Sequence, residues 1–189
     1  MPLRVPSFIK HIIAILLLST LSLGAAEKPL SLDDLGMPGD EAKANTQLQQ
    51  DLNKRSSMLQ WHQWLGLAAA VPMWADYLIG DDVKHNSTTR SWHIGLGIST
   101  AALYMAAASF AIFAPKPDGI KDTGSTKFHR WLSYLHFPLM IAVPILGNLA
   151  RMQIEDGQRV TGAGSLHGAA ATTLVATYTL AITIMVFNF

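Results

Sequence analysis

The chain has 189 residues, of which 50% are hydrophobic and 14% are charged, and its formal net charge is +1. Soluble domains carry about a quarter charged residues, so the low charged fraction indicates a membrane protein. The net charge of +1 argues against a nucleic-acid binder. The sequence contains no cysteine, which excludes disulfides, iron–sulfur clusters and thioether-linked haem. Any bound metal or cofactor must therefore be held by other side chains, and histidine is the candidate.

The first 56 residues have the pattern of a signal peptide followed by a polar tail. Within residues 1–26, Arg4 and Lys10 form a basic start, the stretch IIAILLLSTLSLG is apolar, and small residues precede Glu27. Residues 27–56 are polar, with two prolines and two glycines, and predict an extracytoplasmic tail with a short helix from about Asp40. This pattern places the protein in the bacterial inner membrane with its tail outside the cytoplasm.

Four apolar segments follow, at residues 57–79, 92–114, 128–150 and 163–189. Each is long enough, at about 1.5 Å per helical residue, to cross a hydrocarbon core roughly 30 Å thick. The loops between them are short, so neighbouring helices should pack antiparallel. The sequence therefore predicts an all-α fold, a four-helix transmembrane bundle over residues 57–189. Its orientation depends on the signal segment, because the loop charges do not follow the positive-inside rule.

Every apolar segment contains histidine: His62 in the first, His93 in the second, His129 and His136 in the third, and His167 in the fourth. The first and third helices would offer imidazoles near the outer surface, and the second and fourth near the inner surface. Two facing pairs at two levels, about 20 Å apart by helical rise, suit two haem b groups, because each iron takes one imidazole from either face. With both axial positions filled, the predicted role is electron transfer.

The third segment offers two alternative ligands. His129 and His136 are seven residues apart and therefore face the same way on a helix. The likeness between WHQWLG at 61–66 and FHRWLS at 128–133 favours His129. Depth counted from the inner end of the segment slightly favours His136. So does its 31-residue spacing to His167, which equals the spacing between His62 and His93. Both histidines stay candidates from sequence alone.

Three basic residues near the helix ends are candidate partners for haem propionates. Lys127 and Arg130 lie on the predicted outer side, and Arg90 lies on the predicted inner side. Arginine and lysine also commonly snorkel from membrane helix ends, so their charge alone assigns no role. A single intramembrane histidine is likewise most often a satisfied core residue. The prediction depends on five histidines distributed over all four segments at two matching depths.

Two of these segments resemble a known family. RSWHIGLGIST at 90–100 and FHRWLSYLHFPLMIAVPILGNLARM at 128–152 are similar to helices of cytochrome b561-type membrane proteins. The resemblance covers roughly residues 57–189. It implies a four-helix core with two b haems, ligated by the first and third and by the second and fourth helices. Bacterial members often carry two histidines on the fourth helix, whereas this chain has only His167 there.

The predicted function is a b-type cytochrome that passes electrons between the membrane quinone pool and a periplasmic carrier or reductase. No flavin or nucleotide-binding motif is present, which favours an electron-transfer component over a complete enzyme. Two other classes remain as alternatives: a transporter or permeation protein for protons or metal ions, and a haem-free membrane anchor. Asp76 is the only acidic residue within the four segments, and this scarcity weakens the transporter hypothesis.

Overall fold

The computed structural model describes residues 46–122 and 124–187. These residues form four long helices and two short 3-10 helices, with no strand among them. The long helices are α1 (Thr46–Ile79), α2 (Ser87–Phe113), α3 (Gly124–Glu155) and α4 (His167–Phe187), and the short ones are Gly80–Lys84 and Gly162–Leu166. The predicted all-α, four-helix fold is confirmed. The predicted signal peptide (1–26) and most of the predicted tail lie outside the described residues.

Within residues 46–122 and 124–187, three stretches are long and apolar enough to cross a membrane: α2, α3, and Gly162–Phe187, which contains α4. Of the helices that the structure describes, α1 is the longest at 34 residues but is not among these three. It starts at Thr46 and continues through the predicted tail boundary at residue 57, so it includes the charged residues Asp51, Lys54 and Arg55. The membrane character of the protein is therefore carried by α2, α3 and α4.

Local signals fix the helix ends that set the positions of the histidines. The Asn86 side chain caps α2 by accepting hydrogen bonds from the backbone N–H groups of Thr88 and Thr89, at 2.9 and 3.2 Å. At the end of α3, Gly157 has a φ of 70°, and the Gln158 N–H donates to the Gln153 carbonyl at 2.8 Å. This is a Schellman motif, which ends the helix and turns the chain towards α4.

The described residues from Gln50 onward form one compact unit, with a core drawn from all four helices. The helices α3 and α4 are the most closely packed pair. The main cluster is apolar apart from two tyrosine hydroxyls, and its buried members are Ala69, Ala70, Met73, Tyr104, Met140, Leu174, Val175 and Tyr178. Burial of this surface holds the helices in register. His62 and His129 lie on one side of it along the bundle, and His93 and His167 lie on the other.

Candidate functional site: two histidine pairs

The first histidine pair is His62 on α1 and His129 on α3. Their ring centroids are 5.9 Å apart and the ring planes cross at 81°. The Nδ1 atom of His62 is 3.0 Å from the carbonyl oxygen of Ala107 on α2, and that of His129 is 3.3 Å from the carbonyl oxygen of Ala181 on α4. Each ring is therefore fixed by the backbone of the neighbouring helix while it faces the other ring.

The second histidine pair is His93 on α2 and His167 on α4. Their ring centroids are also 5.9 Å apart, with an interplanar angle of 89°. The Nδ1 atom of His167 is 3.0 Å from the carbonyl oxygen of Val143 on α3. The Nδ1 atom of His93 is 2.6 Å from Oδ1 of Asp76 on α1, so the anchor here is a side-chain carboxylate.

The two pairs and their anchors follow one spacing rule. Each helix carries one paired histidine and, 14 residues further along, the acceptor for a histidine on the neighbouring helix. The four combinations are His62 and Asp76, His93 and Ala107, His129 and Val143, and His167 and Ala181. Fourteen residues are close to four helical turns, so histidine and acceptor share a helix face and lie about 21 Å apart along it. The two pairs therefore occupy two levels of one bundle.

The hydrogen bonds determine which nitrogen each ring can offer. A carbonyl oxygen only accepts, so Nδ1 is the protonated donor in His62, His129 and His167, and their Nε2 carries the free lone pair. In His93, the Asp76 carboxylate lies 2.6 Å from Nδ1, so Nε2 is again the nitrogen that this contact leaves free. This is the arrangement of metal-bound histidines, whose other nitrogen donates to a carbonyl or carboxylate. Two imidazoles that bind one metal ion from opposite sides, at about 2 Å each, have ring centres roughly 6 Å apart. Both histidine pairs fit that distance.

The number of protein ligands that each pair provides also fits haem. Among the described residues, no group of three or more His, Asp or Glu side chains could hold a metal ion. A haem brings four nitrogen ligands of its own and takes two imidazoles from the protein, which is the number that each pair provides. The residues present therefore match a bis-histidine haem better than a metal ion ligated by protein alone.

His136 lies outside this scheme. It is seven residues after His129 and seven before Val143, which places it midway between the two levels. The ring is 4% exposed, its Nδ1 is 2.7 Å from the Tyr104 hydroxyl, and its centroid is 5.3 Å from that of Tyr178. Its Nε2 is buried without a hydrogen-bond partner in the part of the chain that the structure describes. The ring that stands against His62 is that of His129.

A glycine makes room for the second pair. A Cβ atom on Gly147 of α3 would lie 2.8 Å from Cε1 and 3.0 Å from Nδ1 of His167, so only glycine fits against this ring. The glycines that follow the histidines in sequence behave differently. A Cβ on Gly95 or Gly168 would meet no atom within 4 Å, and one on Gly97 would be 3.4 Å from Oδ2 of Asp76.

The predicted propionate partners have surface contacts. Arg130 forms a 2.6 Å ion pair with Asp122, and its side chain is 53% exposed. The Arg90 Nε donates to the carbonyl oxygen of Val83 at 3.4 Å. Lys127 is exposed on the first turn of α3. All three lie on the same turns as the paired histidines, at the two predicted levels, and their role towards propionates stays a prediction.

Sequence reasoning missed four participants: the anchoring role of Asp76, the close approach at Gly147, and the central residues Tyr104 and Tyr178. Asp76 could have been found by the 14-residue step from His62, because that step returns to the same helix face. The three carbonyl anchors leave no trace in the sequence, since every residue has a carbonyl.

Comparison with protein-family models, with curated proteins and with solved structures finds no match for this chain. The resemblance to cytochrome b561-type helices therefore stays a prediction from the residues quoted above. The two histidine pairs are the structural feature on which a function can be proposed.

Proposed function

We propose that this protein is a membrane b-type cytochrome with two haems, one held by His62 and His129 and the other by His93 and His167. The observation that carries the proposal is the repeated geometry of the two pairs. In both, the ring centroids are 5.9 Å apart, and Nδ1 is occupied by an anchor on a neighbouring helix. Chance packing of histidines in a membrane core gives no reason for four rings to expose the same nitrogen.

In this function, the polypeptide would hold each haem in position and separate it from its surroundings. The anchors on Nδ1 fix the orientation of each imidazole and raise its basicity, which strengthens it as a ligand. A bound haem would supply a one-electron redox centre, and the two histidines of each pair would hold it so that no position is left for oxygen or substrate. The apolar core around Met140 and Leu174 lies between the levels. The proposed role is therefore electron transfer over the distance between the two pairs.

The proposed setting is the bacterial inner membrane, with α1 as a fourth span and the polar tail outside the cytoplasm. Electrons would pass between the quinone pool and a periplasmic carrier or reductase. The structural support is the length of the helices: α1, α2 and α3 have 34, 27 and 32 residues, each more than the ~20 needed to span. Arg55 also donates to the Pro115 carbonyl at 2.8 Å, which ties the start of α1 to the loop after α2.

The direct test is haem content and its dependence on single histidines. We expect two haems per chain by pyridine haemochrome assay and a b-type reduced-minus-oxidised spectrum. His129→Ala should lower the content to one haem, because His62 then lacks its facing ligand. His136→Ala is the matched control on the same helix face and should keep two. The reverse result would assign His136 as the ligand, and no loss in either variant would contradict both assignments.

A folded protein that binds no haem would overturn the proposal. The transport alternative would then be favoured, because the Asp76–His93 contact brings a carboxylate and an imidazole together within the bundle, as in proton pathways. Proton or divalent-cation flux into vesicles that contain the purified protein would separate this alternative from a haem-free membrane anchor.

A further inference from the structure

The two halves of the bundle match at every anchor but one. Three of the four histidines donate to main-chain carbonyls, at Ala107, Val143 and Ala181. The fourth, His93, faces the carboxylate of Asp76, which occupies on α1 the position that Val143 occupies on α3. The second histidine pair is therefore electrostatically unlike the first.

The Asp76 contact is exclusive. Oδ1 of Asp76 and Nδ1 of His93 are both buried, and within the described part of the chain neither atom has a hydrogen-bond partner, so the 2.6 Å ion-pair contact is the polar interaction that each of them makes. The side chains are 20% and 23% exposed, and the basic side chains of the structure's other ion pairs, Arg130 and Arg151, pair with Asp122 and Glu155. The carboxylate acts on His93 with little competition.

A carboxylate and a carbonyl have different effects on a metal-bound imidazole. The carboxylate carries a full negative charge and draws the Nδ1 proton more strongly, so the ring becomes a more basic ligand. A more basic ligand and a nearby negative charge both stabilise the oxidised, more positive iron. Charge and hydrogen bonding at the ligands are among the factors that set haem potentials. Both effects lower the reduction potential of the haem concerned.

We propose that Asp76 is a positioning residue that makes the His93/His167 haem the lower-potential centre of the two. This inference rests on the proposed function. It adds a direction: electrons move spontaneously from the lower to the higher potential, hence from the second histidine pair to the first. In the predicted orientation, that path runs from the inner to the outer side of the membrane.

The test is a redox titration of the purified protein, followed optically and fitted to two components. Asp76→Asn removes the charge but keeps size and an acceptor oxygen, and Asp76→Val reproduces the residue found at position 143. We expect the lower potential to rise in both variants and the higher potential to stay unchanged. Asp81→Asn, at an exposed position just after α1, controls for general charge and should move neither component.

Each outcome decides the inference. Unmoved potentials in Asp76→Asn, or equal shifts of both, would overturn it. Should the variant retain only one haem, a remaining component at the wild-type higher potential supports the inference, and one at the lower potential overturns it. His93→Ala should abolish the lower component and His62→Ala the higher one. Failure here with two haems present contradicts only the role of Asp76, whereas absence of haem contradicts the proposed function itself.

Discussion

Three aromatic polar side chains meet at the centre of the bundle, between the histidine pairs. The Tyr104 hydroxyl is 2.7 Å from His136 Nδ1, and the Tyr178 hydroxyl donates to the Gly66 carbonyl at 2.9 Å. Both tyrosines are about 95% buried. A buried hydroxyl without a partner is destabilising, so these two contacts favour the observed packing of α2 against α3 and of α4 against α1.

Tyr178→Phe should lower the free energy of unfolding by about 1 kcal/mol, because it removes a buried hydrogen bond and nothing else. Thermal unfolding in detergent, followed by circular dichroism, measures the change. Tyr77→Phe is the matched control, since its hydroxyl is 3.3 Å from Thr172 Oγ1 and the side chain is exposed. We expect a shift within about 0.5 kcal/mol there. Equal effects of the two substitutions would argue against a structural role of the central hydroxyl.

Gly147→Ala should displace His167, because the new methyl group would lie 2.8 Å from Cε1 of the His167 ring and push the ring away from the Val143 carbonyl. Overpacking of this kind is destabilising by about 1–3 kcal/mol. The expected result is one haem per chain by pyridine haemochrome assay, together with a lower unfolding temperature. Gly124→Ala at the start of α3, where a Cβ meets no atom within 4 Å, should bind two haems. Full haem content in Gly147→Ala would contradict the close approach.

At the scale of the helices, α1 differs from the other three because its first turns are charged and the rest of the same continuous helix is largely apolar. The charged turns around Asp51, Lys54 and Arg55 precede an apolar stretch in which Asp76 is the one acidic residue. Such a helix spans only if its first turns stay at the interface and Asp76 faces a partner inside the bundle. The contact of Asp76 with His93 meets the second condition.

The absence of native cysteine allows the span by α1 to be tested by single-cysteine labelling in intact cells. Lys54→Cys and Asp118→Cys should react with a membrane-impermeant maleimide from the same side, because Arg55 contacts the Pro115 carbonyl. Asp81→Cys, after α1, should react only once the membrane is permeabilised. Labelling of all three from one side would show that α1 lies on the surface and does not cross.

The sequence was sufficient to predict four helices, because three of them are long apolar runs and the other, α1, ends in one. It also predicted the two levels, since helical rise converts residue spacing into depth. It could not choose between His129 and His136, because seven residues return to nearly the same helix face. That choice depends on how far α1 and α3 are shifted along each other. The shift is set by packing at Ala69, Ala70 and Met140.

At the scale of the whole molecule, the bundle consists of two similar hairpins, α1–α2 and α3–α4. Within each hairpin, the first helix anchors a histidine of the second and the second anchors one of the first, over the same 14-residue step. Each histidine pair takes one ring from each hairpin, so each proposed haem site would as well. Neither hairpin alone could complete a site, so cofactor binding would join the two halves and stabilise the assembled bundle.

Anchoring a ring through the main chain has a consequence for how such a protein can change over time. Substitutions at 107, 143 and 181 leave the accepting oxygen in place, so the hydrogen bond itself places no requirement on the side chain there, and packing alone restricts it. Related chains would then share the three main-chain anchors even where the residues at those three positions differ. Sequence alignments would detect the four histidines but would not detect the three carbonyl oxygens that orient their rings.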